Sequence, residues 1–350
     1  MKIPTEPIGS IPRPSELIEA ITSKLNGGQL EKLYEKAVNE TLAAFEKTGS
    51  PVITDGEQTK PSFLTYPLYG LSNLTAEGMR IDFADGHFRQ LPLLTKGPFR
   101  YANYAKQYLQ HAKERTKSPV KQAIISASAL SLIYPSTDIE GYSRSEFIAD
   151  LVNECEKDIR LCLQNGAHKV QMDFTEGRLS LKLDPSGGVL KQFIDLNNQV
   201  FNRFTDEERI KLGVHVCPGG DWDSTHSADV DYTSFIPMLF DLNVGNFYLQ
   251  MASEPDRIKV LKAIKKYIKP RQMIFIGVID VINPKIESAE EIRDSILEAA
   301  KYIPLDQLGT TDDCGFAPFC DDKSTTRETA FAKIKARIEG TKLAELKLFS

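Results

Sequence analysis

Short apolar runs alternate along this chain with longer stretches in which apolar residues return every three or four positions. The first pattern suits buried parallel strands and the second suits helices packed by one face. Eight candidate strands follow from it: Lys2 to Ile8, Pro51 to Thr54, Lys121 to Ala127, Lys169 to Asp173, Lys211 to Cys217, Gly245 to Met251, Met273 to Asp280 and Gln307 to Thr311. Leu30, Leu33, Tyr34, Ala37, Val38, Leu42 and Phe45 line one helical face, and Gly49 follows as a stop signal. Ser143 with Glu146 and Ser288 with Glu291 have the spacing of capping boxes that open two further helices. Alternating strands and helices build a parallel α/β fold, and eight regularly spaced strands favour a (β/α)8 TIM barrel over an open, doubly wound sheet. Residues 1–350 read as a single catalytic domain. Residues 61–117, rich in Tyr, Phe, Leu, Pro and Gly and turning helical near Tyr101, form an insertion between strands 2 and 3 that is expected to wall the active site.

Composition narrows the class of function. Hydrophobic residues make up 41% of the 350 and charged residues 26%, enough for a full core. The net charge is -5 and no basic stripe is interleaved with aromatics, which points to a small-molecule substrate with no nucleic-acid and no membrane partner. The longest apolar stretch, Ala123 to Leu132, is ten residues and contains serines, against the ~20 needed to cross a bilayer. An amino terminus with three prolines in its first twelve residues has no signal-peptide core. Five cysteines are an odd number for a disulfide framework and fit a reduced, cytoplasmic setting. Cys155 and Cys162, seven apart in a helical pattern, read as core. No feature of the sequence specifies an oligomeric state.

In a barrel of this class the chemistry sits at the carboxyl ends of the strands. The polar residues there are Gly9 and Ser10, Asp55 to Glu57, Asp173, His215 and Cys217, Gln250, Asp280, and Asp312 to Cys314. Side chains two apart on a strand point the same way, so His215 and Cys217 can reach one ion together. Cys314, at the end of the last strand, would approach them across the barrel mouth. Three nitrogen and sulfur ligands with an open fourth position are the arrangement of a catalytic Zn2+. The alternative is that His215 and Cys217 are inward-facing barrel residues and Cys314 a small apolar residue under a turn. Pro218-Gly219-Gly220 opens the backbone directly after Cys217 and favours the metal.

These motifs resemble the carboxyl-terminal catalytic domain of cobalamin-independent methionine synthases, in a superfamily that also holds epoxyalkane:coenzyme M transferases and uroporphyrinogen decarboxylases. The resemblance runs from Thr5-Glu6-Pro7-Ile8-Gly9-Ser10 through Thr54-Asp55-Gly56-Glu57, Gln171-Met172-Asp173, His215-Val216-Cys217 and Gly277-Val278-Ile279-Asp280 to Asp312-Asp313-Cys314-Gly315. It implies that His215, Cys217 and Cys314 hold zinc, that backbone groups of Ile8 and Ser10 bind the carboxylate of an amino-acid thiol, and that Glu57 and Asp173 bind its ammonium group. The implied partners are homocysteine or a related thiol and a methyl donor such as methyltetrahydrofolate. Activation of the thiol as a thiolate would make it the nucleophile.

Two positions depart from the family pattern. Gln250 stands where a glutamate ligand is usual, so a neutral carbonyl is the fourth metal ligand expected there, with Glu254 as its substitute. Ile282 stands where a histidine assists protonation of the leaving group. His226, in the loop Asp221 to His226, is the candidate replacement, and Asp280 is the second catalytic candidate. Trp222 in the same loop would stack on a flat donor or cap the mouth. A competing chemistry, addition of a thiol to an epoxide, would call for cations to hold a sulfonate, and Arg13, Lys60 and Arg178 lie near strand ends.

Overall fold

The fold was analysed in a computed structural model that describes residues 2–25 and 27–350. Six strands make one parallel sheet in sequential order: β1 (Gln122–Ile125), β2 (Val170–Asp173), β3 (Leu212–Val216), β4 (Asn246–Leu249), β5 (Met273–Gly277) and β6 (Leu308–Thr311). All but one of their residues are buried, as expected of parallel strands covered on both faces. Two further segments extend the pairing outward, Thr5 against Thr310 beside β6 and Ile53 against Val120 next to β1. These two outer segments are linked by the Ile11 amide donating to Gly56 O at 3.0 Å and by Thr54 Oγ1 donating to Gly9 O at 2.7 Å. A helix follows each of the eight segments, which gives the (β/α)8 arrangement.

The first two predicted strands are thus reduced to single bridges. Pro4 and Pro7 flank Thr5, and Pro51 precedes Ile53. Proline has no N–H to give a ladder, so pairing there stops after one residue.

The helices follow local signals closely. Helix Gly28–Thr48 ends at Gly49 with φ 77°, a left-handed cap that glycine adopts without steric cost. Both capping boxes form, at the starts of helices Arg144–Gln164 and Ala289–Ala299. Cys155 and Cys162 are buried in the first of these, and all five cysteines are free thiols. The insertion folds as two small antiparallel pairings, Leu74–Thr75 with Leu93–Leu94 and Arg80–Asp82 with Phe88–Gln90, before helix Lys106–Lys113. That helix begins five residues after Tyr101, where the sequence pattern started it. One contiguous apolar core joins sheet, helices and insertion. No helix among the described residues is long and apolar enough to cross a membrane.

Candidate active site

Register places the site. Ile125, Asp173, His215, Tyr248, Phe275 and Gly309 form one row across the sheet, so Asp173 and His215 are direct neighbours. Cys217 lies just past β3, and Cys314 lies in the turn after β6. Their ligand atoms and that of His215 all lie within 4.8 Å of one another. The two sulfurs are 3.1 Å apart. His215 Nδ1 is 3.3 Å from the Tyr248 carbonyl, while the buried Nε2 has no partner. An Nδ1–H donated to that carbonyl leaves Nε2 as a lone-pair donor directed at the sulfurs. An orphaned imidazole nitrogen and two adjacent thiols make a soft donor set suited to zinc.

Two close approaches assemble this corner. Gly315 lies so near Ser10 that a Cβ would sit 2.2 Å from the Ser10 hydroxyl. At Gly219, φ is 71° and a Cβ would sit 1.7 Å from the ring of His226. Only glycine admits both that backbone conformation and that contact. Asp313 ties the neighbouring turn together by accepting from the amides of Met251 and Ala252 at 2.8 Å and of Ser253 at 2.7 Å.

A cavity of about 60 Å³ opens onto this cluster. Ile8, Ser10, Glu57, Asp173, His215, Cys314 and His226 all line it, and the insertion supplies Phe63, Leu64, Ile81, Phe83, Arg89 and Leu91. Glu57 has φ 56°, an uncommon conformation for a non-glycine residue and one found where a site is held under strain. Its carboxylate accepts from Lys60 Nζ at 2.8 Å, with both side chains buried. Burial and the neighbouring Glu57 push the Asp173 carboxyl up to about 6, against the pull of His215 and of the Gln171 amide. Ser10 Oγ accepts from the Ala317 amide at 3.2 Å.

The remaining predicted residues lie around this core. Gln250 is buried near Cys314, but both ends of its amide are engaged: Oε1 accepts from Arg178 at 2.6 Å and Nε2 donates to Ser253 Oγ at 2.6 Å. Glu254 is bound to the same arginine at 2.7 Å. Asp280 accepts from the amides of Ile282 and Asn283 and so shapes its own turn. His226 is buried, not a surface loop residue, because its loop folds back as a tight pairing of Gly220–Asp221 with Ser224–Thr225. Burial, with Lys182 and Arg178 nearby, drives its pKa down to about 4. Trp222 is 45% exposed and leans on His87 and Arg89 outside the cavity lining.

A family model for the cobalamin-independent synthase catalytic domain matches residues 3–339. The chain belongs to this family. It is an enzyme of the cobalamin-independent methionine synthase type. Among relatives, the methionine synthase of Saccharolobus solfataricus is 23% identical over 99% of this chain and 96% of its own length. That of Thermococcus kodakarensis is also 23% identical, over 99% and 94%. In fold the chain is similar to a B12-independent methionine synthase from Shewanella sp. W3-18-1 solved with selenomethionine, with a TM-score of 0.78 at 20% identity over 100% and 99% of the two chains. A putative B12-independent methionine synthase from Listeria monocytogenes aligns with a TM-score of 0.69 at 22% identity, covering 98% of each.

Sequence reasoning named Lys60 only as a possible sulfonate cation, and it missed Glu176. Lys60 is the partner of Glu57, a pairing that the three-residue spacing in Glu57-Gln58-Thr59-Lys60 could have suggested. Glu176 lines the cavity three residues beyond Asp173, and its place just past a strand end was the available signal.

Proposed function

We propose that the chain transfers a methyl group to the thiol of homocysteine, with zinc held by His215, Cys217 and Cys314. The observation that carries this reading is the convergence of an unpartnered imidazole nitrogen and two free sulfurs on a cavity that also presents Glu57 and Asp173. Zinc in that position would hold the thiol as a nucleophilic thiolate at neutral pH. Glu57 and Asp173 would receive the substrate ammonium and Ser10, with the backbone at Ile8, its carboxylate. Since Arg178 occupies the oxygen of Gln250, three protein ligands and one open position for the substrate sulfur make up this proposed centre. His226, neutral at its depressed pKa, would position the methyl donor, and Asp280 would act through the turn it organises. Residues 1–350 would work as one cytoplasmic catalytic domain, with methyltetrahydrofolate as one candidate donor.

The cations that a sulfonate thiol would need are already engaged. Arg13 donates to the carbonyls of Glu57, Lys60, Ala317 and Phe319, Lys60 to Glu57, and Arg178 to Glu254. This favours the amino-acid thiol over the epoxide chemistry.

The test is zinc content by elemental analysis of the wild type, Cys217→Ala and Cys314→Ala, paired with a screen of homocysteine against several methyl donors. One equivalent of zinc in the wild type and little in either variant is expected, together with methionine from at least one donor. Full zinc retention in both variants would sink the metal assignment, and absence of methionine with every donor would sink the activity.

A further inference from the structure

Glu176 opens the helix Glu176–Leu183 directly beyond β2 and is buried in the cavity wall beside Ala129, Leu132 and Leu179. Its two oxygens differ. Oε1 accepts the hydroxyls of Ser126, at 2.5 Å, and of Ser128. Both hydroxyls are aimed by other donors: Asn197 Nδ2 gives a hydrogen bond to Ser128 Oγ at 2.8 Å, and the Ala129 amide gives one to Ser126 Oγ at 3.0 Å. Each serine therefore turns its own proton toward Glu176. Oε2 is buried and has no partner.

A bare carboxylate oxygen in an apolar wall is costly, and a neutral acid with its proton on Oε2 costs far less. The serines decide which oxygen carries that proton, because Oε1 is already taken twice as an acceptor. The groups facing Glu176 are Ser126, Ser128 and the Asp173 carboxylate, and burial above all pushes its pKa up to about 7, with Asp173 adding to the rise and the serines opposing it. Of the other polar groups in the cavity, Glu57 and Asp173 are taken up by the substrate ammonium in the proposed function. His226 is neutral at its depressed pKa, and Arg89 is bonded to both Asp221 and Asp321.

We propose that Glu176 is the proton donor of the methyl transfer, giving its carboxyl proton to the nitrogen or oxygen atom from which the methyl group departs. This inference rests on the proposed thiol methylation. The substrate thiolate sulfur forms a bond to the methyl carbon, the bond from that carbon to the nitrogen or oxygen breaks, and its electron pair stays on the leaving atom. The proton of Glu176 moves from Oε2 to that pair, and the proton released when the thiol first ionised restores the acid. Ile282 stands where the family pattern has a histidine, so an acid carried beyond β2 takes over that task.

The experiment compares zinc-loaded wild type, Glu176→Gln and Glu176→Asp with homocysteine and two methyl donors. Methyl iodide releases iodide and needs no proton, whereas 5-methyltetrahydrofolate releases a nitrogen that does. Glu176→Gln should use methyl iodide at the wild-type rate and lose roughly 10²- to 10⁴-fold with the folate, with part of the loss recovered in Glu176→Asp. The wild-type folate rate should fall as pH rises past about 7, and this limb should vanish in Glu176→Gln. Equal losses with both donors, an undiminished folate rate in Glu176→Gln, or a wild type that takes methyl iodide and refuses the folate would each overturn the assignment. Failure of the wild type with methyl iodide would overturn thiol activation itself, and the role of Glu176 with it.

Discussion

Arg178 donates Nη1 to the side-chain oxygen of Gln250 at 2.6 Å, and the same nitrogen binds Glu254 at 2.7 Å. The guanidinium is 1% exposed and also donates to the Val230 carbonyl at 2.7 Å. One buried cation thereby holds both side chains that the sequence offered as a fourth metal ligand.

Arg178→Met is expected to strand the largely buried carboxylate of Glu254. Removing one partner of a buried pair costs about 3 kcal/mol or more, since the other charge keeps its desolvation penalty. Urea unfolding should show this as a lower midpoint with an unchanged slope. A midpoint equal to the wild type would mean that Arg178 contributes nothing to holding the two side chains.

Lys60 and Glu57 form a second buried pair, with the lysine held charged by Glu57 and Asp55. Lys60→Met should destabilise by about 3 kcal/mol, and the double variant Lys60→Met/Glu57→Gln should recover much of that loss, because the uncompensated carboxylate is then gone. Additive losses in the double-mutant cycle would show that the two side chains are not coupled. Binding of homocysteine, followed by calorimetry, should weaken in every variant lacking Glu57.

Arg89 clamps the insertion over the barrel mouth. It binds Asp221 at 2.5 Å and Asp321 at 2.8 Å, joining the Phe88–Gln90 strand to two loops of the barrel, and it stacks 4.1 Å from the Phe319 ring centroid. Arg89→Ala should raise hydrogen exchange at residues 80–90 and 221–226, consistent with local opening made easier by about 1–3 kcal/mol. The strands β1 to β6 should keep their protection.

Asp158, carried by helix Arg144–Gln164 and buried against the insertion, accepts from the Tyr66 hydroxyl at 2.5 Å and from the Ala105 amide at 2.7 Å. Burial outweighs these bonds and pushes its carboxyl up from 3.8 to about 6. A raised carboxyl pKa stabilises the fold fully below the unfolded value and loses that contribution as pH rises through the folded value, because over that range the folded state holds a proton that the unfolded state has already released. Unfolding measured from about pH 4 to about pH 7 should therefore show the wild type losing about 3 kcal/mol relative to Asp158→Asn. A pH-independent difference between the two would remove Asp158 as the cause.

How much of this was legible before folding depended on whether the signal was local. Gly49, Ser143 with Glu146 and Ser288 with Glu291 act on backbone groups within a few residues, and each works as its spacing implies. The strand series from Lys121 onward was visible because burial on both faces demands continuous apolar runs. His215 and Cys217 declared themselves by a two-residue spacing on one strand. The sequence alone therefore determined the order of strands and helices, the family motifs, and the residue types at the strand ends.

Only the tertiary structure could decide what each of those residues meets. That Gln250 faces Arg178, that His226 packs on Gly219, and that Glu176 meets two serines from the end of the preceding strand are contacts across 72, 7 and roughly 50 positions of chain. Charge state follows from the same contacts, since a carboxyl or imidazole takes its pKa from burial and neighbours that no local pattern encodes. The proposed metal corner could be read from spacing because one strand and the residue just past it aim His215 and Cys217 the same way, whereas the proposed donor side could not, because its polar groups are brought together only by the fold.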